Sequence, residues 1–345
     1  MEKIIINTDA SKSEILVGER WESVGELIPE KGVVIITDRN VNKIYGSKFP
    51  RLPVFVIEPG EESKKLKVVE SLAKEMLDAG IDRSGLILSI GGGVVSDIAG
   101  FLASIYMRGI RYASVSTTLL SQVDASTGGK NGVNLGKTKN ILGCFRQPEF
   151  VICDTKMLKT LPDEEYFSGL AELIKTAVIG SRRLFELIEN NAANIIKRDT
   201  YIITKLVSMA VNFKASVVSE DEKESGTRRI LNLGHTYGHA IELFKSVRHG
   251  YAVASGMQLA ALFSERRGYI TGAEYRRIIS LLDKFNLLQE NDIPDKLIKE
   301  LIMHDKKKAG NEIFFVFTAG LGKAIVEKIP VDEVVDFYLN NKIIN

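Results

Sequence analysis

Four short apolar runs in the first third of the chain leave little choice of architecture. Val33-Val34-Ile35-Ile36-Thr37-Asp38, Val54-Phe55-Val56-Ile57, Leu86-Ile87-Leu88-Ser89-Ile90 and Tyr112-Ala113-Ser114-Val115 carry apolar residues at successive rather than alternate positions. A strand with one wet face alternates. A strand apolar on both faces has to be covered on both, which a parallel sheet between two helical layers provides. Between the runs, Leu66, Val69, Leu72, Ala73, Met76 and Leu77 recur at helical spacing and Gly80 stops the segment. The N-terminal Met1-Glu-Lys-Ile-Ile-Ile reads as a further strand. The expectation is an α/β fold. After about residue 155 helical periodicity takes over through Leu301, and only Ile313-Phe314-Phe315-Val316-Phe317 is β-like. That change of period predicts two domains, residues 1–155 with the parallel sheet and residues 156–345 mainly α-helical, joined by a linker from Asp154 to Pro162. A length of 345 residues favours two cores over one as well.

Charge and cysteine usage narrow the function classes. The formal net charge is +2, too small for a general binder of nucleic acid or anionic membrane, so any basic site should be a local pocket. Two cysteines, Cys144 and Cys153, cannot make a disulfide framework or a thiolate zinc site. The expectation is a cytoplasmic enzyme-like protein, with no leader segment and no apolar run approaching the span of a bilayer.

Ligands on open parallel sheets sit at the carboxyl ends of the strands. Gly91-Gly92-Gly93-Val94-Val95-Ser96-Asp97 stands there, where glycine lets the backbone approach a phosphate and the next helix offers free N–H groups. The spacing is not G-x-G-x-x-G, and a tight turn explains it equally well. Asp38 and Asn40, after an earlier strand, could hold a ribose or simply cap a turn. Gly128-Gly129-Lys130 and Gly136-Lys137-Thr138-Lys139-Asn140 place several ammonium groups on flexible backbone, which suits a multiply charged anion. The second resembles the end of a P-loop, but position 131 is asparagine and no apolar strand leads into the turn, which argues against a nucleotide triphosphatase.

Three of the four histidines, His235, His239 and His249, fall in one stretch. Arg228, Asn232, His235, His239 and Glu242 follow steps of four, three, four and three, which predicts one polar stripe on a helix over 228–242. The H-x-x-x-H spacing fits two zinc ligands one turn apart, though without the glutamate of H-E-x-x-H. His249 could add a nitrogen and Glu172, three residues before Lys175, a carboxylate; other carboxylates would serve as well. Gly234 and Gly238 share a face, which predicts close packing there.

Taken together, Asp124-Ala-Ser-Thr-Gly-Gly-Lys130, Lys139-Asn140, Gly169-Leu-Ala-Glu172-Leu-Ile-Lys175, Leu231-Asn-Leu-Gly-His235-Thr-Tyr-Gly-His239-Ala-Ile-Glu242, His249-Gly250 and Asp305-Lys306-Lys307 resemble the 3-dehydroquinate synthases of the sugar-phosphate cyclase superfamily. The resemblance runs in order along nearly the whole chain. It implies an N-terminal Rossmann-like domain and an α-helical C-terminal domain. It also implies bound NAD, one divalent metal ion (Zn2+, with Co2+ as the alternative), a small sugar-acid phosphate as substrate and a homodimer. By the same resemblance Glu172, His235 and His249 hold the metal, and His239 is reassigned from ligand to substrate contact. Lys130, Asn140, Lys175, Asn232 and His239 would act on the substrate. Asp124, Arg108, Lys214, Arg228, Lys306 and Lys307 would bind it, Arg108 from the neighbouring subunit. Asp38, Asn40, Glu61, Lys64, Gly91, Gly92, Gly93, Asp97, Thr117, Thr118, Lys139 and Thr160 match NAD-contacting positions. Ser116, Glu164 and Tyr251 depart from the family's usual proline, arginine and glutamate, and none is a proposed ligand. A metal-dependent polyol dehydrogenase would share the plan without needing Lys130, Lys139 and Lys175, and an inosose- or valiolone-forming cyclase would have no carboxylate for Arg228 and Lys214.

Overall fold

The computed structural model describes residues 1–8, 11–136, 138–290, 292–303, 308–309 and 311–342. The chain divides into two compact units, Met1–Leu161 with Lys214–Lys223, and Pro162–Phe213 with Glu224–Asn345.

The first unit contains β1 (Glu2–Asn7), β2 (Lys12–Val17), β3 (Val33–Asp38), α1 (Arg39–Tyr45), β4 (Val54–Ile57), α2 (Leu66–Asp78), β5 (Leu86–Gly91), α3 (Gly93–Ile105), β6 (Arg111–Ser116), β7 (Lys130–Leu135), β8 (Thr138–Phe145) and β9 (Phe150–Cys153). Among the described residues, seven strands form one sheet in the order β1-β2-β9-β6-β5-β3-β4. All neighbours are parallel except β1 and β2. The unalternated runs have a direct explanation. Val34, Ile36, Ile87 and Tyr112 point into a core shared with α2 and α3, while Val33, Ile35, Leu86, Leu88, Ile90, Ala113 and Val115 point into a second core with Trp21, Val41 and Met157. Each fully buried aliphatic side chain contributes roughly 1.5–3 kcal/mol, so both faces demand cover. In α2 it is Val69, Leu72 and Met76 that are buried, whereas Leu66 and Leu77 face solvent. The Gly136 region is the turn of an antiparallel β7–β8 hairpin, with Gly136 at φ +59°, so a strand does lead into it; Lys137 lies outside the described residues. β7 and β8 use the backbone groups that a P-loop would keep for phosphate.

The second unit holds α4 (Asp163–Gly180), α5 (Arg182–Asn190), α6 (Ala192–Ile196), the first part of α7 (Thr200–Glu220), α8 (His235–Lys245), α9 (His249–Arg266), α10 (Gly272–Lys284), α11 (Asp295–Met303), β10 (Lys308–Ala309), β11 (Glu312–Thr318), β12 (Ala324–Pro330) and α12 (Val331–Asn340). The β-like run is β11, the middle of an antiparallel three-stranded sheet. Its Phe315 and Phe317 pack edge-on to Phe263 of α9, and Tyr237 of α8 closes the cluster and donates to the Val334 carbonyl at 2.9 Å.

Two expectations need correction. α7 is long and apolar enough to cross a membrane, although the sequence reading found no such run. More than half of its apolar window is buried in protein, so it is apolar all round because it is embedded, as core helices are. The helix expected over 228–242 is broken. A 3-10 turn covers Thr227–Asn232, Leu233 is extended, Gly234 takes a left-handed φ of 78°, and α8 starts only at His235. The break follows from packing: a Cβ on Gly234 would lie 2.7 Å from the Met257 nitrogen and 2.8 Å from the Val253 carbonyl of α9.

Candidate active site

Three helices of the second unit meet through glycine. A Cβ on Gly256 of α9 would fall 2.0 Å from the Gly234 carbonyl and 2.6 Å from the Gly238 nitrogen, so α8 and α9 touch backbone to backbone. A Cβ on Gly250 would fall 2.0 Å from the Ser168 carbonyl of α4, and the Gly250 N–H donates to the Ser168 hydroxyl at 3.1 Å. These contacts carry Glu172 of α4 and the first residues of α8 and α9, His235 and His249, into one cluster. Their ligand-type atoms all lie within 4.8 Å of one another. His249 Nε2 is 3.3 Å and His235 Nε2 3.8 Å from Glu172 Oε1.

The tautomers follow from the far side of each ring. His235 Nδ1 faces the Leu233 carbonyl at 3.1 Å, and a carbonyl only accepts, so the proton is on Nδ1 and Nε2 offers a lone pair inward. His249 Nδ1 faces Glu242 Oε2 at 3.1 Å, a carboxylate behind an imidazole, which is how metal-ligating histidines are usually oriented. Without a metal ion, burial pulls the His249 imidazole down, but Glu172 and Glu242 override it and raise it to about 10. Lys175 is buried one turn along α4 and ion-paired with Glu172. Two imidazoles and a fully buried carboxylate make a donor set that fits a divalent ion such as zinc. His239 lies one turn beyond His235, its ring 5.2 Å from that of His235 and 6.2 Å from that of His249. Arg228 is buried, and Asn232 donates to Glu224.

The first unit gathers a second set. Lys64 is buried and donates to Asp97 at 2.6 Å and to the Asn140 side chain, with Glu61 3.8 Å away. Lys214, near the end of α7, is buried and ion-paired with Asp124, which lies within a short π-helical stretch, Ser121–Ala125. The Gly91–Gly93 turn joins β5 to α3 with no room for side chains: Cβ atoms there would meet Val95, Thr118 and Ala125 at 2.5, 2.9 and 3.2 Å. Buried lysines are rare unless paired. Among the described residues Lys64, Lys175 and Lys214 are buried, and each has its carboxylate.

The family model for the N-terminal region of 3-dehydroquinate synthase matches residues 54–168, and the model for its C-terminal region matches residues 169–308. The chain belongs to the 3-dehydroquinate synthase family. A 3-dehydroquinate synthase of Alkaliphilus metalliredigens is 39% identical over 98% of both chains, and one of Thermoanaerobacter pseudethanolicus is 40% identical over 92% of this chain and 93% of its own. Among solved structures, a 2-deoxy-scyllo-inosose synthase complexed with carbaglucose-6-phosphate, NAD+ and Co2+ superposes with a TM-score of 0.84 at 28% identity, covering 99% of this chain and 100% of that one. The 2-epi-5-epi-valiolone synthase of Streptomyces hygroscopicus, with NAD+ and Zn2+ bound, gives a TM-score of 0.86 at 25% identity over 97% and 96%.

The remaining positions singled out in this 3-dehydroquinate synthase family member are spread through the first unit. Asp38 caps α1, accepting from the N–H groups of Asn40 and Val41 at 2.8 and 3.0 Å, so the turn role is filled. Thr117 is buried after β6, its N–H on the Gly91 carbonyl, and Thr118 bonds Ser121. Thr160 is exposed and shares a 2.7 Å hydrogen bond with Tyr45. Lys130 and Lys139 are exposed on the hairpin. Arg108 is exposed in a turn where Met107, Arg108 and Gly109 all have positive φ. Lys306 and Lys307 lie outside the described residues. Sequence reasoning missed Glu224, the partner of Asn232, and, although it placed Glu242 on the polar stripe, it missed the contact of Glu242 with His249.

Burial pushes the Asp97 carboxyl up to about 6, against the pull of Lys64. An unfolded aspartate titrates near pH 3.9, so between about pH 4 and 6 the folded chain holds a proton that the unfolded chain has shed, and stability falls as pH rises through that window. The melting temperature of the parent chain should therefore drop relative to Asp97→Asn as pH goes from about 4 to 6, then run parallel above it. A difference that stays flat, or moves the other way, would contradict the burial argument.

Proposed function

We propose that this chain converts 3-deoxy-D-arabino-heptulosonate 7-phosphate into 3-dehydroquinate and phosphate, a carbon–oxygen lyase reaction, using NAD and a divalent ion held by Glu172, His235 and His249. The convergence of those three side chains carries the reading. Bound there, the ion would supply Lewis-acid polarisation of a substrate alcohol and its ketone, and NAD would supply a transient hydride acceptor, with no net redox change.

The chain's own residues do the rest. Asp38, Asn40, Glu61, Lys64, Gly91, Gly92, Gly93, Asp97, Thr117, Thr118, Lys139 and Thr160 hold the dinucleotide. Lys130, Asn140, His239 and one of Lys306 and Lys307 neutralise the departing phosphate. Groups already fixed in place do this with little reorganisation. Arg228 offers a planar fork for the substrate carboxylate, Lys214 supplies a second cation for it, and Asp124 binds the substrate elsewhere. Lys175 and Asn232 orient the hydroxyls, and Lys175 ion-pairs with the ligand Glu172. The protein acts in the cytoplasm as a homodimer, with Arg108 of one subunit reaching the phosphate bound to the other.

The test is a phosphate-release assay on the purified chain with NAD and Zn2+. The heptulosonate phosphate should yield phosphate without NADH building up. Phosphate from glucose 6-phosphate but not from the sugar acid would point to an inosose-forming cyclase, and net NADH from a simple polyol to a dehydrogenase.

A further inference from the structure

A ring of polar contacts in the first unit contains one residue that no role above uses. Asn134 stands near the end of β7, where pairing with β8 is interrupted between Val133 and Leu135. Its N–H donates to the Lys64 carbonyl at 2.8 Å, and it bridges in parallel to Lys65, so the hairpin is stitched to the segment carrying Glu61 and Lys64. The Asn134 carboxamide donates from Nδ2 to Glu61 Oε1 at 2.8 Å, and its Oδ1 accepts the Asn140 N–H at 2.8 Å. Asn140 has a left-handed φ of 51°, a conformation asparagine tolerates when such a bond holds it. The Asn140 side chain then accepts from Lys64 Nζ, which is 3.8 Å from Glu61 Oε1 and 2.6 Å from Asp97. Glu61, Asn134, Asn140 and Lys64 close a circle. A carboxamide supplies a donor and an acceptor from one planar end; aspartate would supply two acceptors and set a second carboxylate against Glu61.

We propose that Asn134 is a positioning residue that couples the cofactor-holding set Glu61, Lys64 and Asp97 to Asn140 at the departing phosphate. The proposal rests on the function proposed above. Asn134→Ala removes both side-chain bonds. Asn134→Asp keeps the acceptor for the Asn140 N–H but loses the donor to Glu61 and adds a like charge.

The experiment pairs calorimetric NAD titration with steady-state kinetics at saturating NAD on the metal-loaded full chain. Losing a hydrogen bond to a charged group should weaken NAD binding about tenfold in Asn134→Ala and lower kcat about tenfold, with KM for the heptulosonate phosphate within about twofold. Asn134→Asp should weaken NAD binding at least as much yet keep most of kcat. A lower melting temperature with unchanged NAD affinity and kcat per folded molecule would mean a purely structural role and overturn the proposal. So would equal kcat losses in the two variants. If Asn134→Ala fails to fold, Asn134→Asp alone decides through its NAD affinity, parental tightness overturning the proposal. A parent chain that binds no NAD sinks the functional reading and this inference together, whereas a parent that binds NAD no better than both variants sinks the inference alone.

Discussion

His235→Ala should leave the protein folded, strip it of zinc on dialysis and lower phosphate release by about a thousandfold or more, because ion-assisted charge stabilisation is worth several kcal/mol and each 1.4 kcal/mol is tenfold. His239→Ala should keep its zinc and lose turnover only. The contrast comes from geometry that spacing conceals. His235 opens α8 with Nδ1 bonded to the Leu233 carbonyl, so Nε2 faces Glu172. His239, four residues on, belongs to the same helix but not to the group whose ligand atoms lie within 4.8 Å of one another; His249, from the next helix, does. Metal content after dialysis, measured beside phosphate release, separates the variants. Equal zinc loss in both would overturn the ligand assignment.

Gly256→Ala should cost about 3 kcal/mol or more and weaken zinc binding without touching a ligand. Adding one methyl to a helix interior ordinarily gains up to about 1 kcal/mol over glycine. Here it would stand 2.0 Å from the Gly234 carbonyl and 3.0 Å from the Gly238 Cα, both backbone atoms that no rotamer change can move. α8 would have to shift away from α9, and with it His235 relative to His249. Denaturant unfolding and a zinc titration on Gly256→Ala check both halves. A variant as stable as the parent, with parental zinc affinity, would show that the α8–α9 seam does not position the site.

Much of the first unit was legible because its signals are local. Consecutive apolar residues from Val33 to Ile36 or Leu86 to Ile90 can only mean a strand covered on both faces, and β3 and β5 are such strands. The Gly91–Gly93 turn was legible as a strand-to-helix joint for the same reason. The hairpin of β7 and β8 was not, since exposed polar residues such as Lys139 and Asn140 carry no strand pattern. The stripe from Arg228 to Glu242 misled in one respect: periodicity of polar residues says which side chains share a neighbourhood, but not that the backbone between them is one helix. Gly234 breaks it because α9 presses on it, and α9 lies later in the chain. Lys214 is another case. Its helix reads as part of the second, helical half, yet residues 214–223 pack with the first unit, where Asp124 receives the ammonium.

The amino-acid order by itself determined the two kinds of layer and which residue types could do phosphate and metal chemistry, because strand cover, helix period and donor chemistry are written in neighbouring residues. The tertiary structure alone brings those groups together in space: Glu172 with His235 and His249, a grouping the resemblance implied but spacing did not, Lys64 with Asp97 and Asn140, and Lys214 with Asp124. Such sets join positions tens of residues apart, and what brings them together is backbone contact at Gly234, Gly250 and Gly256 and the burial of lysines that must find a carboxylate.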